Sequence, residues 1–240
     1  MIFRLFPVRI LLLWVLLLSA GCNLATNRQN LDGKRRFELG QHRDALQSFY
    51  LALQNDPANP DSHYNIARTL HQMGNDGNNK NLIQQAEVAY RQALRLNPVH
   101  QPSYRGLSVL MAENKRGQEA FALVQGWMQI RPDSAEPRIE LARLYSEFGN
   151  NSTATQLLSD ALAIDFDNDR ALRAIGALRE QSGETQQALL DYQRSLQINP
   201  MQPGLSNRVA QLRLNNRVSP ASSPVYSNRT ASRATSWPRY

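Results

Sequence analysis

The sequence predicts an all-α fold, a stack of about five helical hairpins closed by one further helix. Three observations predict it. Ala45, Ala86, Ala120, Ala154 and Ala188 recur at spacings of 41, 34, 34 and 34 residues, and Pro57, Pro98, Pro132, Phe166 and Pro200 repeat the same spacings. A large apolar residue follows each alanine by four: Phe49, Tyr90, Val124, Leu158 or Tyr192. Another follows by eight: Leu53, Leu94, Met128, Leu162 or Leu196. Apolar side chains four and eight apart share one face of a helix. A self-similar period of this length makes each repeat a supersecondary unit that must stack on its neighbours to bury its apolar face.

Within each unit the alanine marks the second helix. The first helix carries a large residue followed by a small one in Ile66-Ala67, Leu107-Ser108, Leu141-Ala142 and Ile175-Gly176. Gly40, Gly74, Gly149 and Gly183 are placed to turn the chain between the two helices, where a residue free to take positive φ ends a helix well. Asp56, Asp133 and Asp165 fall at repeat junctions, where aspartate serves turns and helix starts. The first unit departs from the pattern: Asp32 and Arg36 stand where the others mostly have apolar residues, so its first helix is expected to be a frayed or atypical end. In the second unit the run Asn75-Asp76-Gly77-Asn78-Asn79-Lys80-Asn81 accounts for the longer spacing and is expected as a polar loop between its helices. That loop is either a tolerated insertion or a contact feature on the edge. Trp127 replaces a small residue in the third unit. After Pro203, Leu205, Val209, Leu212 and Leu214 mark a capping helix. The Ser-, Arg-, Pro- and Thr-rich remainder is too apolar-poor to fold. It reads as a plain tail, or as a contact for an acidic surface or lipid headgroups through Arg229, Arg233, Trp237, Arg239 and Tyr240.

Period, alanine, apolar residue and proline in this order resemble the tetratricopeptide repeat (TPR). The resemblance covers residues 26–202 and implies a right-handed superhelical solenoid, with residues 203–215 as its capping helix and 216–240 as the tail. It also implies a partner-binding groove lined by first-helix positions. Those fall on Asn30 and Lys34, Tyr64 and Arg68, Arg105 and Val109, Ile139 and Arg143, Arg173 and Ala177. One arginine or lysine per repeat forms a row that could receive carboxylates by bidentate bonds. In a chain this rich in arginine, composition alone can also produce such a row. The carboxylate clamp of chaperone-binding relatives is matched by Asn65 but not by Asn30, Lys34, Pro102 and Gly106, so a chaperone C-terminus is not the expected ligand.

The N-terminus reads as an address. Arg4 and Arg9 precede the apolar run Ile10–Leu18, which is shorter than the roughly 20 residues a membrane span needs. Leu18-Ser19-Ala20-Gly21-Cys22 resembles the bacterial lipobox. The resemblance implies that residues 1–21 are a signal peptide, that Cys22 carries lipid, and that residues 22–30 are a lipidated tether. Each buried methylene contributes about 0.8 kcal/mol, so several acyl chains anchor firmly. Asn23, in place of an aspartate retention signal, directs the chain by the same resemblance to the outer membrane, facing the periplasm. The other reading of Cys22, a buried structural thiol, has little support in the polar run Asn23–Asn30.

The net charge of +7 does not mark a nucleic-acid binder. Arg4, Arg9, Arg217, Arg229, Arg233 and Arg239 lie in the terminal segments, which leaves 21 basic against 20 acidic side chains elsewhere. One cysteine excludes an internal disulfide and a Cys-rich zinc site. No phosphate loop, nucleophile elbow or paired metal-binding histidine motif occurs. His42, His63, His71 and His100 are scattered and are expected to be solvated. The expectation is therefore a protein without catalytic site, cofactor, metal or small-molecule substrate, binding envelope proteins or peptides. Similarity to TPR lipoproteins points to assembly of a pilus, of type IV or Flp/Tad kind, or of a secretion complex. A carrier for secreted or outer-membrane subunits and an adaptor docking cell-wall enzymes are the alternatives.

Overall fold

A computed structural model describes residues 24–218. Among them there are only helices, turns and bends. The first helix, α1, spans residues 24–38. It is followed by α2 (His42–Asn55), α3 (Pro60–Asp76), α4 (Lys80–Leu96), α5 (Gln101–Glu113), α6 (Gly117–Ile130), α7 (Glu136–Glu147), α8 (Asn151–Ile164), α9 (Asp169–Gln181), α10 (Thr185–Ile198) and α11 (Pro203–Val218). The chain divides into two compact units between Leu123 and Val124, within α6.

The helix ends are written in the chain. Asn59, Asn79, Asn150 and Asn168 each accept a hydrogen bond from a backbone N–H of the helix they precede, and such a cap contributes about 1 kcal/mol. Pro60, Pro102 and Pro137 sit in first turns, where the missing N–H costs nothing. Gly40, Gly149 and Gly183 take φ of 74°, 84° and 83° between paired helices. The corresponding turns of the second and third hairpins use Asn78 (φ 45°) and Lys115 (φ 61°) instead.

Gly74 therefore does not turn the chain. It lies inside α3, where a Cβ would come within 2.6 Å of the Ile83 side chain of α4. Its small size lets the two helices close, and the turn falls on residues 77–79. The polar run expected as a loop is mostly helix: Asn75 and Asp76 extend α3, while Lys80 and Asn81 open α4. Both helices consequently have 17 residues. The added residues lengthen a hairpin because Asn79 caps the new helix start.

In the first unit Ala45, Ala86 and Ala120 are all fully buried, and so are the repeat alanines Ala154 and Ala188 of the second. The residues four further on, from Phe49 to Tyr192, are at most 3% exposed. In the second unit Ala154, Leu158 and Ala161 of α8 pack with Ile139 and Ala142 of α7 and with Ala174, Ile175 and Leu178 of α9. A large side chain at 154 has no room there. Ala154→Phe is expected to lower stability by about 1–3 kcal/mol through overpacking, and an unchanged thermal midpoint would reject this packing.

Both ends correct the sequence reading. α1 is an unbroken helix from residue 24, so residues 24–30 are not a tether but part of the first hairpin. Its polar residues pair with one another: Arg36 Nε and Ser48 Oγ both donate to Asp32 Oδ2 at 2.7 Å, joining α1 to α2. At the other end Leu205, Val209 and Leu212 of α11 cover Ala188, Leu189 and Tyr192 of α10. Leu214 is not part of this seal, being 61% exposed, and the helix continues to Val218 beyond the expected limit of 215. The lipobox, Cys22 and the tail residues from Arg229 onward lie outside the described residues.

Candidate partner-binding site

In the first unit the first helices of successive hairpins are tied by buried polar bonds. Asn30 Nδ2 of α1 donates to Ser62 Oγ at 2.8 Å, and Asn65 Nδ2 donates to Asn30 Oδ1 at 3.2 Å, both partners lying on α3. Asn30 is thus a structural cross-link rather than a ligand contact, because its amide is buried and satisfied from both sides. The α3–α5 junction is similar. His100 Nε2 donates to Asp61 Oδ1 at 3.0 Å, and His71 Nε2 donates to Glu113 Oε2 at 3.0 Å. Both histidines are buried, which corrects the expectation of solvated side chains. The hydrogen bond from His100 holds the Asp61 carboxyl below its usual range. No sequence signal announced these pairs, since their members lie 39 and 42 residues apart.

These cross-links position Tyr64, Arg68 and Lys34. The Tyr64 ring lies 6.1 Å from that of Tyr90 and 5.7 Å from the His100 ring. Burial pushes its phenol above the ordinary tyrosine range. One helical turn further along α3, the Arg68 guanidinium lies 4.1 Å over the Phe37 ring of α1. A cation held on an aromatic face gains about 0.5–2 kcal/mol while its edge stays available. The Nε of Arg68 is buried without a hydrogen-bond partner. Lys34 is exposed, and neither it nor Arg68 has a carboxylate within ion-pair distance among the described residues. Arg105 on α5 is half-buried and adds to the positive field acting on Tyr64. The close approach of α4 to α5 depends on Gly106, where a Cβ would come 2.4 Å from the Tyr90 ring. This cluster can offer guanidinium and ammonium donors beside aromatic faces, a surface suited to carboxylates on a peptide. Phe37 is the member that the sequence did not single out; its position next to the Lys34 turn was the available clue.

The second unit treats its row differently. Ile139 is 2% exposed and belongs to the core. The Arg143 side chain is 8% exposed and donates to Glu140 Oε1 and Glu147 Oε2, each at 2.6 Å. Arg170 pairs in turn with Glu136 and approaches Glu140. Arg143 is committed to this buried network and is not offered to a ligand. Arg173 donates to Gln202 Oε1 at 3.3 Å. Of the ten groove positions expected, Lys34, Tyr64, Arg68 and Arg105 share one region of the first unit, whereas Asn30, Ile139 and Arg143 hold the fold, Arg173 bonds to Gln202, and Val109 and Ala177 are half-buried. Among the described residues no group of three or more His, Cys, Asp or Glu could hold a metal ion, and no helix is long and apolar enough to cross a membrane.

The chain is similar to solved helical-repeat structures. A thermophilic TPR protein of Thermus thermophilus is 23% identical, with a TM-score of 0.63 over 79% of this chain and 100% of that one. PilF of Pseudomonas aeruginosa is 17% identical, with a TM-score of 0.55 over 82% of this chain and 88% of that one. At these identities the likeness concerns the fold alone. No curated protein matches the sequence. Models of the tetratricopeptide repeat match residues 33–74, 79–135 and 111–178. Together those matches take in more than half of the chain, so it belongs to the tetratricopeptide repeat family, whose fold is an interaction scaffold for proteins and peptides.

Proposed function

We propose that this scaffold is held by lipid on Cys22 at the bacterial outer membrane, faces the periplasm, and helps assemble a pilus or secretion complex. The lipobox resemblance of residues 18–22 supports the anchor, and the resemblance to TPR lipoproteins supports the pathway. The partner binds at Lys34, Arg68 and Arg105 in the first unit. The observation that carries this placement is Arg68, held over Phe37 with no carboxylate within ion-pair distance among the described residues. A guanidinium with no carboxylate of its own can take one from a partner through its terminal nitrogens. The partner segment is therefore acidic or presents a terminal carboxylate. No step of this role requires catalysis.

The test is photo-crosslinking in the native cell with the probe at Lys34, which is exposed, and a control probe at Val88 on α4, which is 63% exposed. Tyr64 is a poor probe position because its ring packs against two others. One dominant adduct from position 34, identified by mass spectrometry as a pilus or secretion component, is the expected result. A smear of many clients would favour a carrier of unfolded subunits instead. An adduct from position 88 alone would remove the site, and normal piliation and secretion in a deletion strain would remove the pathway.

A further inference from the structure

α1 shows the outside a face that later hairpins bury. In the repeat register Arg28, Leu31 and Arg35 correspond to Ser62, Asn65 and Thr69 of α3, which are 0%, 2% and 0% exposed. They also correspond to Ala171, Ala174 and Leu178 of α9, which are at most 3% exposed. In α1 no hairpin precedes these positions among the described residues. Leu31 is 72% exposed and Leu24, one turn before Arg28, is 74% exposed. Residues 24, 28, 31 and 35 form a single stripe, spaced by four, three and four. At 1.5 Å per residue it is about 16 Å long.

We infer that this stripe is a lipid-surface contact, in which Leu24 and Leu31 enter the headgroup region while Arg28 and Arg35 bind phosphates. The inference rests on the proposed lipid anchor at Cys22 and goes beyond it, from tethering to orientation. Two arguments select lipid as the occupant. First, Cys22 is two residues from Leu24, a reach of at most about 7 Å, so acyl chains on the cysteine bring this end of α1 to the bilayer interface. Second, the charge fits: Arg28 and Arg35 are exposed and have no carboxylate within ion-pair distance among the described residues. The neighbouring Asp32 is already held by Arg36 and Ser48. The stripe offers a lipid surface both kinds of contact it can make, leucines for the acyl boundary and arginines for the phosphates, with each surface arginine favouring anionic lipid about fivefold. A second copy of the chain fits less well. Four side chains fall far below the roughly 800 Å² per partner of a stable interface, and the arginines would meet their own like.

The experiment uses the full chain, purified after processing and placed on phosphatidylethanolamine–phosphatidylglycerol vesicles containing a nitroxide-labelled lipid. Mass spectrometry first reads whether Cys22 is acylated. A nitrobenzoxadiazole dye is then attached at Leu31→Cys, or at Val88→Cys as the control. Quenching by the nitroxide at position 31 and not at 88 is expected, and its loss in an Arg28→Glu, Arg35→Glu background is expected while the protein stays on the vesicles. Equal emission at 31 and 88 on acylated, vesicle-bound chain would overturn the contact and leave the anchor standing. If Cys22 proves unmodified, the anchor reading falls. The same comparison in a Cys22→Ser chain, added to the same vesicles, then decides the face by itself. Concentration-dependent quenching between dyes at position 31 without vesicles would overturn the inference in favour of self-association.

Discussion

Arg143→Ala is expected to destabilise the second unit by about 3–5 kcal/mol, the cost of removing one partner from a buried ion pair. The size follows from what remains. Glu140 is 1% exposed and would keep a carboxylate in the interior with Arg170 as its nearest cation, at 3.8 Å. Replacing the pair together, as Glu140→Leu with Arg143→Met, should recover most of the loss, since burying a matched apolar pair avoids the desolvation of both charges. Hydrogen exchange of α7 to α9 reads the effect directly, because a repeat array can unfold locally. The measurement also separates two roles. A groove arginine should lower partner binding with little change in protection. If Arg143→Ala leaves exchange unchanged, the pair is not structural and position 143 returns to the binding row.

Phe49→Ala is expected to cost about 3–5 kcal/mol and to release α1 before any other helix. The Phe49 ring is 1% exposed and sits where a Cβ on Gly33 would come within 2.3 Å. It is the apolar clamp between α1 and α2. Beside it lie the Phe37–His42 ring contact and the polar set Asp32, Arg36, Ser48 and Asp44, whose surface ion pairs contribute little. Among the described residues this hairpin has a neighbour on one side only, so its loss is not shared along the array. Deuterium uptake in residues 24–38 should rise sharply while α4 stays protected. Uniform loss of protection would instead mean that the first unit unfolds as one body. Because α1 carries both Lys34 and the Leu24–Arg35 stripe, the same variant should weaken both proposed contacts.

The hairpins were legible because their signals are local. An alanine with apolar residues four and eight positions on defines one helix face within a few turns. Buried alanines at every repeat follow from that pattern. Turns were less legible: Gly74 has the composition of a helix stop but is used for close packing, while Asn78 and Lys115 take the positive φ. A glycine fits both needs, and only the neighbour across the hairpin decides which is met. The polar insert was misjudged for a related reason, since Asn79 can end a loop by capping a helix as readily as it can extend one.

The binding row shows the limit most clearly. Position in the repeat put Tyr64, Arg68 and Arg105 on adjacent first helices, but it could not distinguish them from Arg143. The difference lies in partners. Glu140 and Glu147 lie three and four residues from Arg143, visible in the sequence as helix neighbours, yet the burial of Glu140 and Arg143 is a property of the packed array. His100 with Asp61 and His71 with Glu113 were invisible, because no local rule pairs residues some 40 positions apart. The sequence by itself determined the helical hairpin, its period and its register, since these follow from helix periodicity and side-chain size. The tertiary structure alone decided which charged and polar side chains are consumed by the stack and which remain for a partner, because desolvation and pairing depend on the neighbours that stacking supplies.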